Sequence, residues 1–491
     1  MSNPFAQHFY GTGDGHQAWL QLAEQALQPS CEAYSGAGPE LLAELLAGEV
    51  CPEVGLAPAA LQARLRLIAQ HSIQPWHPHT AAHLQTPVLL PALAAEAFLS
   101  ALNQSMDSFD QAPAASVLEQ KVLTFLTQLA GLLPTAGGTF TAGGTQSNYM
   151  GLLLARDHFC LTQLAWPVRE KGLPPQFPRM RFLCSEVAHF SVEKSAIQLG
   201  LGLQSVIKVP CDSSFRMSPS RLRTEIASLR ERDLLPAAIV ATAVKTDFGS
   251  IDDLQQIARI AAEENIWLHV DAAYGGALLL SPRHASLLAV FHLADSISID
   301  FHKAFFQPIS CSAFLLADQR RFDSIRVHAD YLNSESREAE GIPDLVTRSL
   351  LTTRRFDALK LWVSFQSLGR LQFAAMIDQL VLLAASAASF IKASLELELL
   401  AEPQFAAIVF RFRPELEAAD TINNSIPRLL FKRGQAVVGH TVVRGKPCLK
   451  ITLCNLATTP QEVNDLLALI IATGEELKDK EWIPSLTSCS S

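Results

Sequence analysis

The spacing of apolar positions changes along the chain and divides it into three parts. Residues 1–85 repeat apolar residues at helical spacing between prolines and glycines, which predicts an N-terminal helical segment. In residues 86–370, short apolar runs alternate with helical segments, as is typical of βαβ units around a mostly parallel sheet. Residues 371–491 combine an apolar helix, alternating strands and a closing helix, which predicts a small C-terminal α+β domain.

The middle part carries the predicted sheet. We expect buried strands at 181–185, 237–243, 266–272, 296–300 and 310–317. We expect helices at 147–158, 192–200 and 252–265. A capping-box pattern, with Ser116 three residues before Glu119, predicts a further helix that begins near Ser116. The fold class is therefore α/β, and ligands of such folds bind at the carboxyl ends of the parallel strands.

Composition narrows the class of protein. The 491 residues include 39 Lys+Arg and 48 Asp+Glu, a formal net charge of −9, and charged residues make up only 18%. A hydrophobic content of 49% excludes a disordered chain. A pI near 5.9 argues against a nucleic-acid partner, which would require a basic face. The low charge favours an oligomer that buries part of the surface.

Cysteine usage and hydropathy predict a cytoplasmic protein. The nine cysteines are scattered and form no C-x-x-C pair, so we expect reduced thiols and no metal site. The N-terminus lacks a basic stretch followed by an apolar run, so we expect no signal peptide. The uncharged stretch at 380–391 is shorter than the ~20 residues of a membrane span, so we expect no membrane partner.

A glycine-rich turn is the first candidate for chemistry. Gly143, Gly144 and Thr145 precede a predicted helix, and a helix N-terminus offers N–H groups and a favourable dipole to an anion. The turn therefore predicts a phosphate site, although a simple tight turn would have the same residues. It has neither the G-x-G-x-x-G spacing of a dinucleotide site nor the lysine of a P-loop.

An aspartate, a lysine and a histidine follow predicted strands. Asp271 ends an apolar strand, where it either caps a turn or binds a cationic nitrogen such as the pyridinium of pyridoxal phosphate. Lys303 stands beside Phe305 and Phe306, and is either a desolvated amine nucleophile or a lysine that reaches solvent. His189 lies between a strand and a helix, where it is either a cap or a ligand contact.

The order of these residues, with the strings HVDAAYGG (269–276) and FHK (301–303), resembles the group II pyridoxal-phosphate-dependent amino-acid decarboxylases. The resemblance implies fold type I, the aspartate-aminotransferase-like fold, and a homodimer with the active site at its interface. It implies that Lys303 forms the Schiff base with the cofactor, that Asp271 pairs with the pyridine nitrogen, and that His189 stacks on the ring. It adds His302 to the catalytic residues.

The resemblance also implies further contacts. The remaining residues implied to contact the cofactor are Gly144, Thr145, Thr246, Ala273, Ser296 and Asp300. Arg355 and Tyr331 are implied to contact the substrate. The family commonly has Gly-Thr-Thr where this chain has Val244-Lys245-Thr246, which places a bulky cation near a strand end. The proton donor to the substrate carbon is left open between Tyr331, His302 and His189.

Three strings resemble the branch that acts on diamino acids: 103–116, 241–254 and 352–362. They imply decarboxylation of L-2,4-diaminobutyrate to 1,3-diaminopropane. A lysine or ornithine decarboxylase of siderophore biosynthesis and an aromatic-amino-acid decarboxylase are the alternatives within the family. Outside it, an aminotransferase would use a C-terminal arginine, and an inactive binding protein would lack turnover. Asp107 and Asp110 either receive the distal ammonium of a diamino acid or cap a loop.

Overall fold

The structure, a computed structural model, describes residues 16–27, 31–413 and 415–479. The predicted segment 1–85 therefore includes residues 1–15 and 28–30, which lie outside the described residues. The predicted domain 371–491 likewise includes residues 414 and 480–491, which lie outside them.

The helices and strands of the described residues follow the predicted order. The α-helices are α1 (His16–Ala26), α2 (Pro39–Leu45), α3 (Pro58–Gln70), α4 (Leu90–Leu102), α5 (Pro113–Leu129), α6 (Gly144–Leu164), α7 (Val168–Lys171), α8 (Ser191–Gln198), α9 (Pro219–Glu231), α10 (Leu254–Glu264), α11 (Glu335–Ala339), α12 (Ala358–Ala393), α13 (Ala419–Lys432) and α14 (Pro460–Asp479). The strands are β1 (Thr80–Ala81), β2 (Gly137–Thr141), β3 (Met180–Ser185), β4 (Val206–Val209), β5 (Leu235–Thr242), β6 (Trp267–Asp271), β7 (Ser296–Asp300), β8 (Ser312–Leu316), β9 (Leu397–Leu399), β10 (Ala407–Phe412), β11 (Val437–Val443) and β12 (Lys446–Thr452).

A seven-stranded sheet forms the core of the middle part, in the order β2-β8-β7-β6-β5-β3-β4. The five strands β4, β3, β5, β6 and β7 run parallel, and β8 pairs antiparallel with both β7 and β2. All five predicted strands lie in this sheet. Their continuous apolar sequences fit strands covered on both faces, and every residue of β6, β7 and β8 is buried.

Helix α6 covers one face of this sheet and packs against β5, β6, β7 and β8. Its apolar residues Met150, Leu152 and Leu154 are buried in a cluster with Phe182 and Phe314. Because the helix begins beside the carboxyl ends of the parallel strands, its first turn and the strand ends lie at the same edge of the sheet.

The chain divides into two compact units. One unit contains residues 84–385 and 401–408, including the seven-stranded sheet. The other combines the described residues up to His83, residues 386–400 and the described residues from Val409 onward. In this second unit β1 pairs parallel with β11, and the Tyr34 ring stacks on Phe431 at 4.3 Å. The N-terminal helical segment and the C-terminal α+β piece, predicted as separate parts, thus share one unit.

Helix α5 does not begin where the sequence predicts, and helix α12 is not straight. Helix α5 begins at Pro113, with Ser116 and Glu119 buried in its interior, so the predicted capping box was wrong. The reason is that proline suits the first turn, where its missing N–H costs nothing, and Glu119 instead forms a two-bond ion pair with Arg354. Helix α12 is kinked at Gly369 (φ +70°).

Helix α12 is also, within the described ranges, the one helix long and apolar enough to cross a membrane by length and composition. Its residues Ile377, Leu380, Leu383 and Ala387 are buried inside the protein. A core helix accounts for the same pattern.

Candidate active site

A cavity of about 620 Å³ lies at the carboxyl ends of the parallel strands. It brings together nine of the residues that the sequence marked: Gly144, Thr145, His189, Thr246, Asp271, Ala273, Asp300, His302 and Lys303. Strands β5, β6 and β7, the first turn of α6 and the segment before α8 supply them, because successive βα connections of a parallel sheet meet at this edge.

The glycine-rich turn forms one wall of the cavity. Gly143 has φ +125°, a backbone conformation that favours glycine, and α6 begins at the next residue. A Cβ atom on Gly144 would lie 2.9 Å from Asp300 Oδ2 and 3.0 Å from Ala273 Cβ, so no side chain fits there. The first N–H groups of a helix have no acceptor within it, and those of α6 border the cavity. This geometry fits a bound phosphate.

Asp271 ends β6 and is 6% exposed. Its Oδ2 accepts from Asn148 Nδ2 at 2.8 Å, and its Oδ1 accepts from the Ala273 N–H at 3.1 Å. Burial alone would raise the pKa of this carboxyl, but Lys303, His189 and the hydrogen bonds outweigh it and hold the pKa below its usual value. Asp271 is therefore an ionised carboxylate, suited to a cationic ring nitrogen.

Lys303 lies near the end of β7 and is ion-paired. Its Nζ is 2.9 Å from Asp300 Oδ2, and its side chain is 18% exposed. Asp300 Oδ1 accepts from Ser312 Oγ at 2.6 Å, and His302 Nε2 lies 3.7 Å from Asp300 Oδ2. The amine therefore has both a counter-ion and access to the cavity.

His189 lies between β3 and α8, as its sequence position predicts. Its Nδ1 is 2.9 Å from Ser191 Oγ and 3.3 Å from the Ser191 N–H. Burial lowers the pKa of His189 and prevails over Asp271, which raises it. The ring is therefore neutral near pH 7.

Val244 and Lys245, which differ from the family's common Gly-Thr-Thr, line the cavity and are buried. Val244 has φ +71°, which is rare for a β-branched residue. Lys245 is 1% exposed, and its Nζ donates to Asp252 Oδ1 at 2.6 Å. Asp252 also accepts from the N–H groups of Met217 (2.6 Å) and Thr242 (2.9 Å). The Lys245 ammonium is thus neutralised by a buried carboxylate, and Thr246 still lines the cavity.

The expected cofactor contact Ser296 and the expected substrate contacts Arg355 and Tyr331 lie outside the cavity. Ser296 begins β7, where its Oγ is 3.0 Å from Trp267 Nε1 and 2.8 Å from His269 Nδ1. The cavity lies at the other end of this strand, roughly 13 Å away at ~3.3 Å per residue, so the structure does not bring Ser296 to the place where a cofactor contact was expected. Arg355 forms an ion pair with Glu96 at the surface, and Tyr331 is 89% exposed.

The acidic candidates for a distal ammonium have other partners. Asp107 is buried, and its Oδ1 accepts from the following N–H of Ser108 at 2.8 Å, as a loop cap does. Asp110 pairs with Arg337 at 3.2 Å. Neither lines the cavity.

Sequence reasoning missed several polar residues that contact the site. Asn148, Ser191 and Ser298 are buried and hydrogen-bonded to Asp271, to His189 or to one another. Asn148 follows Gly144 by one helical turn, so helical periodicity places it on the face that meets the strand ends. That spacing was the available signal.

Comparison with known proteins identifies related chains. Residues 46–413 match a family model described as the pyridoxal-dependent decarboxylase conserved domain. An L-2,4-diaminobutyrate decarboxylase of Acinetobacter baumannii is 40% identical over 473 residues, covering 94% of this chain and 91% of that protein. One of Rhizobium meliloti is 40% identical over 468 residues, covering 94% and 92%.

A solved structure shows the same fold. It is the glutamate decarboxylase domain of a diaminobutyrate-pyruvate transaminase and L-2,4-diaminobutyrate decarboxylase from Vibrio parahaemolyticus. Its TM-score is 0.88 at 37% identity, and the match covers 96% of this chain and 99% of that one. The expected fold type I is confirmed.

Proposed function

Because this chain belongs to the pyridoxal-dependent decarboxylase family, we propose that its substrate is L-2,4-diaminobutyrate, which it converts to 1,3-diaminopropane and CO₂. The decarboxylation and the pyridoxal phosphate cofactor are those of the family, as the sequence predicted. The choice of substrate is supported by the two relatives of that name, each aligned with more than nine tenths of this chain.

The cavity has the groups that pyridoxal phosphate requires. The turn before α6 leaves room and N–H groups for the phosphate, because Gly144 has no space for a side chain. The Asp271 carboxylate suits the pyridine nitrogen, and the Lys303 amine suits the aldehyde carbon. The meeting of these three features in one cavity is the observation that supports the proposal most directly.

Each residue then has a defined role in the reaction. Pyridoxal phosphate, when bound, supplies an electron sink for the electron pair that remains when CO₂ leaves. Asp271, which stays ionised, would pair with the ring nitrogen of the cofactor. Lys303 would hold the aldehyde carbon of the cofactor, and Asp300 is placed to pair with the Lys303 amine when that amine is free. His302 and His189, which line the cavity, are placed to give a proton to Cα.

The distal ammonium of a diamino acid requires an acceptor of its own. Three carboxylates line the cavity within the described part of the chain: Asp247, Asp271 and Asp300. Asp271 and Asp300 are proposed to act on the cofactor and on Lys303. We assign the distal ammonium to Asp247 because of its position in the cavity wall. Asp247→Asn should raise KM for L-2,4-diaminobutyrate on the order of 10-fold or more, as for a lost charged hydrogen bond, and change kcat less. An unchanged KM would reject this assignment.

The function is tested by cofactor absorbance and CO₂ release. Lys303→Ala should abolish turnover and the absorbance band of the protein-bound cofactor. Lys208→Ala is the control, because Lys208 pairs with Glu193 at a half-exposed site away from the cavity and should leave both intact. A Lys303→Ala enzyme that turns over normally would reject the proposal.

A substrate screen separates the alternatives. It should compare L-2,4-diaminobutyrate, ornithine, lysine, tyrosine, DOPA and glutamate by CO₂ release. Exclusive use of ornithine or lysine would favour the siderophore branch, and exclusive use of tyrosine or DOPA the aromatic branch. The family match excludes the aminotransferase alternative, whose candidate arginines were Arg411, Arg413 and Arg444. Of these, Arg411 forms an ion pair with Asp420 and Arg413 with Glu475.

We also propose a cytoplasmic homodimer with the active site at its interface. Large apolar side chains are exposed on α4 and α5, including Leu90, Leu93 and Phe98, and the low overall charge fits a buried surface. Exposed Tyr331 would then act in the site of a second copy. Co-expressed Lys303→Ala and Tyr331→Phe chains should regain part of the lost activity by forming mixed dimers. No recovery, or a 53.5 kDa monomer in light scattering, would contradict this.

A further inference from the structure

A buried hydrogen-bond network connects Asp271 with His189. Its centre is Asn148 on α6, which is 1% exposed. Asn148 Nδ2 donates to Asp271 Oδ2 at 2.8 Å and to Ser191 Oγ at 2.8 Å. Ser191 Oγ in turn lies 2.9 Å from His189 Nδ1. One amide is therefore linked to both residues proposed to hold the cofactor ring, to Asp271 directly and to His189 through Ser191.

The oxygen of the Asn148 amide also has two hydrogen-bond partners. Asn148 Oδ1 lies 2.8 Å from Ser298 Oγ and 2.9 Å from His269 Nε2. His269 Nδ1 lies 2.8 Å from Ser296 Oγ, which receives the Trp267 Nε1–H at 3.0 Å. Asn148 thus uses both N–H donors and both oxygen lone pairs, which is the full capacity of an amide.

The ionised Asp271 fixes the orientation of the Asn148 amide and, through it, the tautomer of His269. A carboxylate only accepts, so Asn148 must turn its NH₂ toward Asp271 and its oxygen toward His269. His269 must then carry its proton on Nε2. Burial lowers the pKa of His269 to about 4, so its ring is neutral and Nδ1 accepts from Ser296 Oγ.

The second branch sets the tautomer of His189. Ser191 Oγ accepts an Asn148 N–H, so its own proton is available for His189 Nδ1. The Ser191 backbone N–H also points to Nδ1 at 3.3 Å. Nδ1 is therefore an acceptor, and the neutral ring carries its proton on Nε2.

Gly151 leaves the space that this network needs. A Cβ atom at Gly151 would lie 2.5 Å from His269 Nδ1 and 2.7 Å from His269 Cε1. Only glycine allows α6 to pack this closely on the imidazole ring. The network is thus built by one face of α6, through Asn148 and Gly151, against β6 and β7.

We propose that Asn148 is a positioning residue that orients the Asp271 carboxylate and, through Ser191, holds His189 in the neutral Nε2–H tautomer. The proposal rests on the proposed roles of Asp271 and His189 at the cofactor ring. The proposal gives Asp271 and His189 different roles. Asp271 alone stabilises positive charge at the ring nitrogen, because His189 is kept uncharged.

The test uses Asn148→Asp, which keeps the shape of the side chain and removes both N–H donors. Asn423→Asp is the matched control: Asn423 is fully buried and bonds only backbone groups of Phe412 and Ala419 in the other unit. The first readout is the affinity of the apoenzyme for pyridoxal phosphate, followed by absorbance. The second is the tautomer of His189 from ¹⁵N NMR of histidine-labelled holoenzyme, assigned with His189→Gln.

Asn148→Asp should weaken cofactor binding at least about tenfold, as expected for a lost hydrogen bond to a charged group. The His189 proton should no longer be confined to Nε2. Asn423→Asp should change neither readout. Cofactor affinity within about twofold of the parent and an unchanged His189 spectrum would overturn the proposal.

A second variant decides the outcome if Asn148→Asp does not fold. Ser191→Ala removes the Oγ contact to His189 and leaves only the longer backbone N–H at 3.3 Å, so the two His189 tautomers should become mixed while cofactor affinity changes less than about threefold. A purely structural role would not separate the two readouts, and an unaltered tautomer would overturn the proposal. Failure of the proposed function is recognised independently, by normal turnover of Lys303→Ala.

Discussion

Replacement of Lys245 or Asp252 should reveal how much the buried ion pair beside the site contributes to stability. The two side chains are 1% and 0% exposed, with a Nζ–Oδ1 distance of 2.6 Å. Removing one partner of a buried pair costs about 3–5 kcal/mol, because the other charge is left uncompensated. That is a large part of the 5–15 kcal/mol that stabilises a typical protein.

The hydrogen bonds of Asp252 predict which of the two variants loses more stability. In Lys245→Met the carboxylate keeps two backbone N–H donors, from Met217 and Thr242, so we expect a loss of about 3 kcal/mol. In Asp252→Asn the ammonium stays buried, and one N–H donor faces an NH₂ group, so we expect about 5 kcal/mol. The double variant should lose less than the sum of these.

Urea unfolding of the holoenzymes, followed by tryptophan fluorescence and circular dichroism, measures these free energies. Lys208→Met is the control, because the half-exposed Lys208–Glu193 pair should contribute at most about 1 kcal/mol. Equal losses for the two single variants, or a double variant that matches their sum within about 0.5 kcal/mol, would refute the reasoning.

Three further predictions concern single residues. Gly144→Ala should weaken cofactor binding about tenfold or more in an absorbance titration, because its Cβ would lie 2.9 Å from Asp300 Oδ2. Burial, with Asp157, raises the pKa of Cys160 to about 11, so iodoacetamide at about pH 8 should modify exposed Cys51 and spare Cys160, as read by mass spectrometry. Because the pKa of His269 falls from 6.5 to about 4 on folding, the unfolded chain binds more protons between these values. Stability should therefore fall as the pH falls through that window, by about 3 kcal/mol at pH 4, and His269→Gln should flatten the dependence.

Each of these three predictions has a result that would contradict it. Gly38→Ala, with nothing within 4 Å of its added Cβ, should bind cofactor like the parent, and equal effects of the two alanines would reject the steric argument. Equal labelling of Cys51 and Cys160 in the folded enzyme would reject the burial argument. An unchanged pH slope in His269→Gln would show that other groups carry the proton uptake.

The parallel core was predictable because its strands are long, apolar and bounded by polar residues. Strands β2 and β4 were missed: GGTFT is rich in glycine, and VIKV has four residues with a lysine, so neither gives a clear signal. The capping box was misread because proline and serine both begin helices, and only the packing of Glu119 against Arg354 shows which residue does.

The site was predictable where a residue sits at a strand end and unpredictable where its role depends on side-chain partners. Asp271, Lys303 and His189 follow from their positions after strands. Ser296 was placed by resemblance at the wrong end of β7, because one strand holds serines at positions 296 and 298 and only the fold shows which lies beside Asp271. Asn148 was missed because an asparagine within a helix gives no sign of the bonds that its amide makes.

The pairing of β1 with β11 has a consequence for biosynthesis. The partner of Ala81, Val438, is synthesised 357 residues later. At about 5–20 residues per second the ribosome needs roughly 20–70 s to reach it. During that time Ala33 and Tyr34, buried in the finished protein, have no C-terminal residues to pack against. The nascent N-terminal segment therefore lacks its packing partners until synthesis nears its end, and a chain that stops before β11 never supplies them.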